Sequence, residues 1–116
     1  MLEVYHNPRC GKSRNCLAFL DNSNQEYKIT KYLDETPSIE SLVSILEKLQ
    51  LKPIDLIRQK EKIWIENYKN LTMTDEAIIQ AMVAHPILIE RPIIIDGDKA
   101  IIAREIDKME SFLATK

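Results

Sequence analysis

The spacing of hydrophobic and polar positions changes along this chain between strand-like and helix-like patterns. Residues 2–6, LEVYH, are typical of a short strand, and residues 13–20 carry a stripe at i, i+3, i+4 and i+7, which predicts a helix. The β-rich segment YKITKY, residues 27–32, predicts a second strand. The chain is therefore expected to open with a βαβ unit.

The middle of the chain has helical periodicity. Residues 36–49 open with Thr-Pro, typical of an N-cap and a first helical position, and then keep apolar residues at helical spacing. A proline-led segment follows at about 53–58. The next predicted helix starts at Thr74 and ends at His85, because the residue before a proline disfavours the α conformation.

The last third contains the clearest β signal. Residues 91–103, RPIIIDGDKAIIA, place two apolar runs around Asp-Gly, which predicts a hairpin, and an amphipathic helix should follow from about Glu105 to Leu113. The order βαβ, three or more helices, then ββα predicts an α/β fold with a small mixed four-stranded sheet. The first half of that sheet should be parallel and the second half antiparallel. This order resembles that of the thioredoxin fold.

Length and composition limit the classes of protein that are possible. A chain of 116 residues with 45% hydrophobic and 29% charged residues is typical of one soluble globular domain. We find no apolar run of membrane-spanning length and no signal-peptide pattern, so a cytoplasmic location and no membrane partner are expected. The net charge of −2 argues against nucleic acid as a partner.

Both cysteines lie in one basic stretch, YHNPRCGKSRNC, residues 5–16, which has no acidic residue. Cys10 falls where a strand ends and a helix begins, so free N–H groups and the helix dipole can stabilise its thiolate. His6 could donate a hydrogen bond, and neighbouring cations add positive charge. Each effect lowers a thiol pKa from about 8.5 toward roughly 3.5 to 7.5, which predicts a nucleophile; the alternative is an inert buried cysteine. The neighbouring cations are Arg9, Lys12 and Arg14.

The second cysteine is expected to be a core residue. Cys16 shares the apolar stripe of the first helix, and six helical residues place it about 9 Å along the axis from Cys10, beyond the roughly 7 Å that a disulfide spans. Ser13 stands where a Cys-x-x-Cys motif would have its second cysteine. The site therefore needs an external thiol to complete a redox cycle, and the basic helix N-terminus also suits an oxyanion.

Four sequence features together resemble the ArsC family of glutaredoxin-coupled arsenate reductases, which also contains the regulator Spx and YffB-like proteins. They are YHNPRCGKSR, LIRQKE, HPILIERPIII and an arginine after the next strand. The resemblance covers nearly the whole chain. It implies a single thioredoxin-like domain, residues 1–116, with a helical insertion at about 36–85 between the βαβ and ββα halves. One difference is AREIDKME, which has no proline after Arg104.

The resemblance also implies roles for individual residues. Cys10 is the catalytic nucleophile, His6 and Ser13 stabilise its thiolate, and Pro92 is a cis-proline that faces it. The family's oxyanion-binding arginines fall on Arg58, Arg91 and Arg104.

Taken alone, these residues have other interpretations. Arg91 could protect a sheet edge, Arg58 could be a solvated charge, and Arg104 could flank the last helix. Pro92 could be an ordinary trans proline.

The activity implied by the resemblance is reduction of arsenate or a similar oxyanion. Glutathione is the co-substrate, glutaredoxin is the partner that regenerates the thiol, and neither a bound cofactor nor a metal is required. Two alternatives remain. One is a glutathione-linked thiol oxidoreductase with another substrate. The other is an Spx-like RNA polymerase-binding regulator, although Spx-type sensing uses Cys-x-x-Cys and this chain has Cys-Gly-Lys-Ser.

Overall fold

The computed structural model describes residues 1–114 and divides the chain into two units. The first unit contains residues 1–35 and the chain from residue 91 onward, and its centre is a mixed four-stranded sheet of order β2-β1-β3-β4. β1 is parallel to β2 and antiparallel to β3, and β3 is antiparallel to β4. The predicted α/β class, with a parallel first half and an antiparallel second half, is confirmed. The strands are β1 (Leu2–Tyr5), β2 (Tyr27–Thr30), β3 (Ile93–Asp96) and β4 (Lys99–Ile102).

Two helices share one hydrophobic core with this sheet. These are α1 (Gly11–Asn22) and the last helix of the chain, Ile106–Ala114, which is α5. Burying each large apolar side chain contributes roughly 1.5–3 kcal/mol, so this cluster is a main source of the unit's stability. The prediction that Cys16 is a core residue is confirmed, since it is fully buried. The cluster consists of Leu2, Val4, Cys16, Leu20, Ile94, Ala103, Met109 and Phe112.

The strand directions bring four chain segments to the same edge of the sheet, which is the edge formed by the ends of the strands. β1 and β2 end at this edge, β3 begins there, and β4 ends there. The loop after β1 therefore has the segment after β2 on one side and the residues around β3 and β4 on the other. This edge positions the candidate site.

The second unit, Thr36–Glu90, is helical. The predicted helical middle is confirmed, but the sequence pattern did not locate the third helix, because six residues are too few to establish a period. Its helices are α2 (Ile39–Leu49), α3 (Lys62–Asn67) and α4 (Asp75–Ala84), with 3-10 turns at Pro53–Leu56 and Pro86–Leu88.

Two predicted boundaries shift for local reasons. The first helix of this unit begins at Ile39 instead of Pro37, because the hydroxyl of Ser38 accepts a hydrogen bond from the Ser41 N–H at 3.1 Å and so caps the helix. β2 ends at Thr30 instead of residue 32, because the chain turns at Lys31, whose carbonyl accepts two backbone hydrogen bonds.

The other boundaries are close to their predicted positions. α4 is capped by Thr74 and ends at Ala84, one residue before its C-cap His85, and Gly97 has the positive φ of 61° that the hairpin turn requires. Within residues 1–114, no helix is long and apolar enough to cross a membrane. The single domain with an insertion at 36–85 stays a prediction.

Candidate active site

Cys10 is the N-cap residue of α1, as the sequence predicts. The loop that delivers it is held by Asn7, which is 4% exposed. The Asn7 carbonyl accepts a hydrogen bond from the Cys10 N–H, and its Oδ1 accepts one from the Arg9 N–H, both at 3.0 Å. Asn7 was not among the predicted site residues, although Asn-Pro is a recognised turn signal.

The surroundings of the Cys10 sulfur favour its charged form. Burial by itself raises the pKa of this thiol, but several groups outweigh burial and bring the pKa below its ordinary value. The backbone N–H groups of Ser13 and Lys12 lower this pKa by stabilising the thiolate, the positive charge of Arg104 lowers it further, and the Ser13 hydroxyl acts in the same direction. Ser13 is fully buried, and its Oγ accepts the Asn7 N–H at 3.3 Å. A thiolate at a helix N-terminus is a nucleophile.

The charge effect on Cys10 comes from a different residue than the local sequence indicated. Arg9, Lys12 and Arg14 are exposed, and their side chains are not among the causes of the lowered pKa of Cys10. Exposed charges are screened by water and salt. The cation that acts is Arg104, which follows β4 and reaches the edge of the sheet where Cys10 lies.

Two arginines predicted to bind an oxyanion are in direct contact. The Nη1 of Arg104 donates to the backbone carbonyl of Arg91 at 2.8 Å. Arg91 is 8% exposed, and its Nε and Nη1 are buried with no hydrogen-bond partner among the described residues. A buried charged group is costly unless a partner satisfies it, so this guanidinium is suited to receive an anion.

The structure excludes two of the other interpretations, an edge-protecting Arg91 and a trans Pro92. β3 lies between β1 and β4, so Arg91, just before it, does not protect an edge strand. The Arg91–Pro92 peptide bond is cis. The Pro92 carbonyl accepts the Ala103 N–H at 2.8 Å, which ties the start of β3 to the residue before Arg104.

Arg58 belongs to the helical unit. It is not a freely solvated charge: its side chain is 23% exposed, it donates a hydrogen bond to Glu61, and it forms an ion pair with Glu90 at 3.9 Å. Its backbone N–H donates to the Leu88 carbonyl at 2.7 Å. Its part in an oxyanion site stays a prediction.

The ring of His6 is buried at 5% exposure. Burial, and then the charge of Lys31, lower the pKa of His6, so the ring is neutral at neutral pH. Its Nδ1 has no hydrogen-bond partner within residues 1–114. His6 is not among the groups that lower the pKa of Cys10, and its role in stabilising the thiolate stays a prediction.

The second thiol is unsuited to redox chemistry. Burial raises the pKa of Cys16 to about 12, so its thiolate is scarce at neutral pH, and its side chain has no solvent exposure. Within the described part of the chain, no three His, Cys, Asp or Glu side chains could together hold a metal ion. The chemistry available here is that of one activated thiol in the field of Arg104, whose guanidinium contacts Arg91.

The pH dependence of alkylation tests this account of Cys10. We expect its rate with iodoacetamide to reach half-maximum below the pH of about 8.5 that suits a free cysteine. Arg104→Gln should move the midpoint upward, because the thiolate loses a positive charge. Lys12→Gln is the matched control and should leave the midpoint in place, since Lys12 acts through its backbone N–H. Equal shifts in both variants, or none in Arg104→Gln, would contradict this account.

Comparison with known proteins agrees with this geometry. The fold and the site define a thioredoxin-like protein in which one of two free cysteines has a lowered pKa. The chain belongs to the ArsC family, whose model matches residues 5–112. This membership confirms the resemblance seen in the sequence.

Individual relatives match over most of their length. A Haemophilus influenzae protein named arsenate reductase is 40% identical over 103 residues, which cover 87% of this chain and 89% of that protein. An arsenate reductase of Neisseria meningitidis serogroup A is 33% identical over 114 residues, 97% of each chain. A solved structure of an arsenate reductase from Vibrio cholerae matches with a TM-score of 0.89 and 36% identity over 95% of each chain.

Proposed function

We propose that this chain is an arsenate reductase-like thiol oxidoreductase with Cys10 as its nucleophile. One observation carries the proposal: the Cys10 thiolate lies within the field of Arg104, whose guanidinium contacts Arg91, itself a buried cation with two unsatisfied nitrogens. A nucleophile beside unsatisfied cations suits an oxyanion substrate. The names of the relatives support arsenate as that oxyanion.

In the first step the Cys10 thiolate attacks the arsenic of arsenate. An arsenic–sulfur bond forms, and one arsenate oxygen takes up protons and leaves as water. Arg91 and Arg104 hold the remaining oxygens and their charge, and the positive end of the α1 dipole adds to this stabilisation. Arg58 is the third arginine in this proposal and would exchange its present carboxylate partners for the oxyanion.

The second step requires an external thiol, because Cys16 is buried and protonated. The thiolate of glutathione attacks the Cys10 sulfur, and the arsenic–sulfur bond breaks with its electron pair going to arsenic. Arsenic(V) becomes arsenic(III), arsenite leaves, and the two sulfurs are oxidised to a mixed disulfide. Glutaredoxin then removes the glutathione by thiol–disulfide exchange, which restores Cys10.

Arsenate-dependent oxidation of NADPH tests the proposal. The assay contains the protein, glutathione, glutaredoxin and glutathione reductase. We expect turnover that requires arsenate, glutathione and glutaredoxin, each checked by leaving it out. Turnover that continues without glutaredoxin would reject the proposed partner and leave the reductase in place.

A second candidate is a glutathione-linked thiol oxidoreductase with another substrate. It is favoured by Glu105, which stands where the resemblance leads us to expect a proline after the last arginine. Rapid alkylation of Cys10 near neutral pH without arsenate turnover would select this candidate. The Spx-like regulator is tested by a pull-down with the C-terminal domain of the RNA polymerase α-subunit, and no binding would remove it.

A further inference from the structure

One cavity, against the loop that leads to Cys10, is not used by the proposed oxyanion chemistry. This cavity of about 350 Å³ lies between the loop after β1 and the segment after β2, and residues 6–9, which immediately precede Cys10 in the chain, form one of its walls. None of the residues proposed to hold the oxyanion lines it. The cavity is lined by His6, Asn7, Pro8, Arg9, Lys31, Leu33 and Asp34.

The order of the strands places this cavity and the arginines on different sides of Cys10. Cys10 follows β1, Arg91 precedes β3 and Arg104 follows β4, whereas Lys31 follows β2. Because the order is β2-β1-β3-β4, the cavity is on the β2 side of the thiol and the two arginines are on the β3–β4 side.

The cavity presents cations without partners. Arg9 and Lys31 are exposed, and neither forms an ion pair with a residue of the described range. The wall also contains the His6 ring, which is 5% exposed and whose Nδ1 has no hydrogen-bond partner among residues 1–114. Asp34 is the only acidic residue among those that line it. Two unpaired cations on a chain of net charge −2 attract a small anion, and a carboxylate matches them well.

The chemistry of the second step specifies which anion should enter here. Displacement at sulfur proceeds in line, so the incoming thiolate approaches Cys10 from the side opposite the leaving group. In the proposed function the leaving group is the arsenic held by Arg91 and Arg104. The external thiol therefore approaches from the side of the Cys10 sulfur that faces away from the two arginines, and the cavity on the β2 side is suited to hold it.

We propose that this cavity binds the thiol co-substrate through its carboxylates, with Arg9 and Lys31 as the carboxylate-binding residues. The ligand is a small peptide thiol of the glutathione class. This inference rests on the part of the proposed function in which Cys10 exchanges with an external thiol, and it does not depend on arsenate.

Thiol–disulfide exchange in the absence of arsenate tests the inference. The Cys10 thiolate attacks one sulfur of a disulfide, the sulfur–sulfur bond breaks, and the other half leaves as a thiolate. We would measure the rate with glutathione disulfide and with the neutral bis(2-hydroxyethyl) disulfide, by mass spectrometry of the intact protein. The ratio of the two rates reports recognition of carboxylates, because changes in the reactivity of Cys10 affect both rates.

We expect Lys31→Glu and Arg9→Glu each to lower this ratio about tenfold, since each replaces a charge-assisted contact with repulsion. The rate with the neutral disulfide should stay within about twofold of wild type for these exposed positions. Lys99→Glu is the matched control: Lys99 is exposed at the far end of β4 and should leave the ratio unchanged.

Two outcomes would overturn the inference. One is a wild-type ratio in both Lys31→Glu and Arg9→Glu. The other is a lowered ratio only in Lys12→Glu, which would place the carboxylate in the cavity on the β4 side that Lys12 and Arg104 line. A protein without arsenate turnover whose ratio still depends on Lys31 and Arg9 would support this inference while rejecting arsenate as the substrate.

Discussion

Cys10→Ser should lower arsenate-dependent NADPH oxidation by at least about a thousandfold. A serine hydroxyl is not ionised at neutral pH and forms no mixed disulfide, so both proposed steps fail. Serine is a favoured N-cap residue, and the fold should therefore be kept or slightly stabilised. The coupled assay measures the loss of activity, and thermal unfolding of the same sample checks that the protein is folded.

Cys16→Ala is the matched control for this experiment. We expect its activity to stay within about threefold of wild type, because its side chain lies in the core and takes no part in the chemistry. Removing the buried sulfur leaves a small void and should lower the free energy of unfolding by about 1 kcal/mol. If folded Cys16→Ala were as inactive as Cys10→Ser, the mechanism with one cysteine would be wrong.

The second large effect concerns Arg91, where stability and activity should change in opposite directions. Arg91→Met replaces a buried cation with unsatisfied nitrogens by an apolar side chain of similar length. We expect the free energy of unfolding to rise by about 1–3 kcal/mol, since an unpaired buried charge is removed. We also expect kcat/KM for arsenate to fall at least about a hundredfold, because the oxyanion loses a charge-assisted contact.

Thermal unfolding with and without arsenate separates these effects. Arsenate should raise the Tm of the wild-type protein, since a ligand that binds only the folded state stabilises it, and it should leave the Tm of Arg91→Met unchanged. Arg14→Met makes the same substitution at an exposed arginine of α1 and should behave like wild type. A lower stability of Arg91→Met, or a retained response to arsenate, would show that Arg91 has a structural role instead.

The candidate nucleophile could be identified from a short stretch of sequence. A strand followed by Asn-Pro and then a helical stripe places Cys10 at a helix N-terminus, and the structure has it there. The prediction that cations close in sequence lower the pKa of Cys10 is wrong. A charged residue nearby in sequence points into solvent as readily as toward a neighbour, and the exposed cations of this stretch do so.

Arg91 illustrates a different limit. The sequence around Arg91 shows only a charge within an apolar run, and this pattern fits a protected edge strand as well as a binding site. The order of the strands decides, because it makes β3 an inner strand and so removes the first interpretation. Its contact with Arg104 joins residues 13 positions apart, on either side of the hairpin.

By itself, the sequence determined the local features of this protein. These are the βαβ and ββα halves, the helix N-terminus at Cys10, a serine at position 13 where a Cys-x-x-Cys motif has its second cysteine, and Cys16 as a core residue. These depend on periodicity and on neighbours within a few positions. Only the tertiary structure decided that Arg104 acts on the thiol, and that Lys31 shares a cavity with the loop that leads to Cys10. The physical reason is that periodicity shows which face of an element is buried, whereas the order and direction of strands decide which distant residues meet.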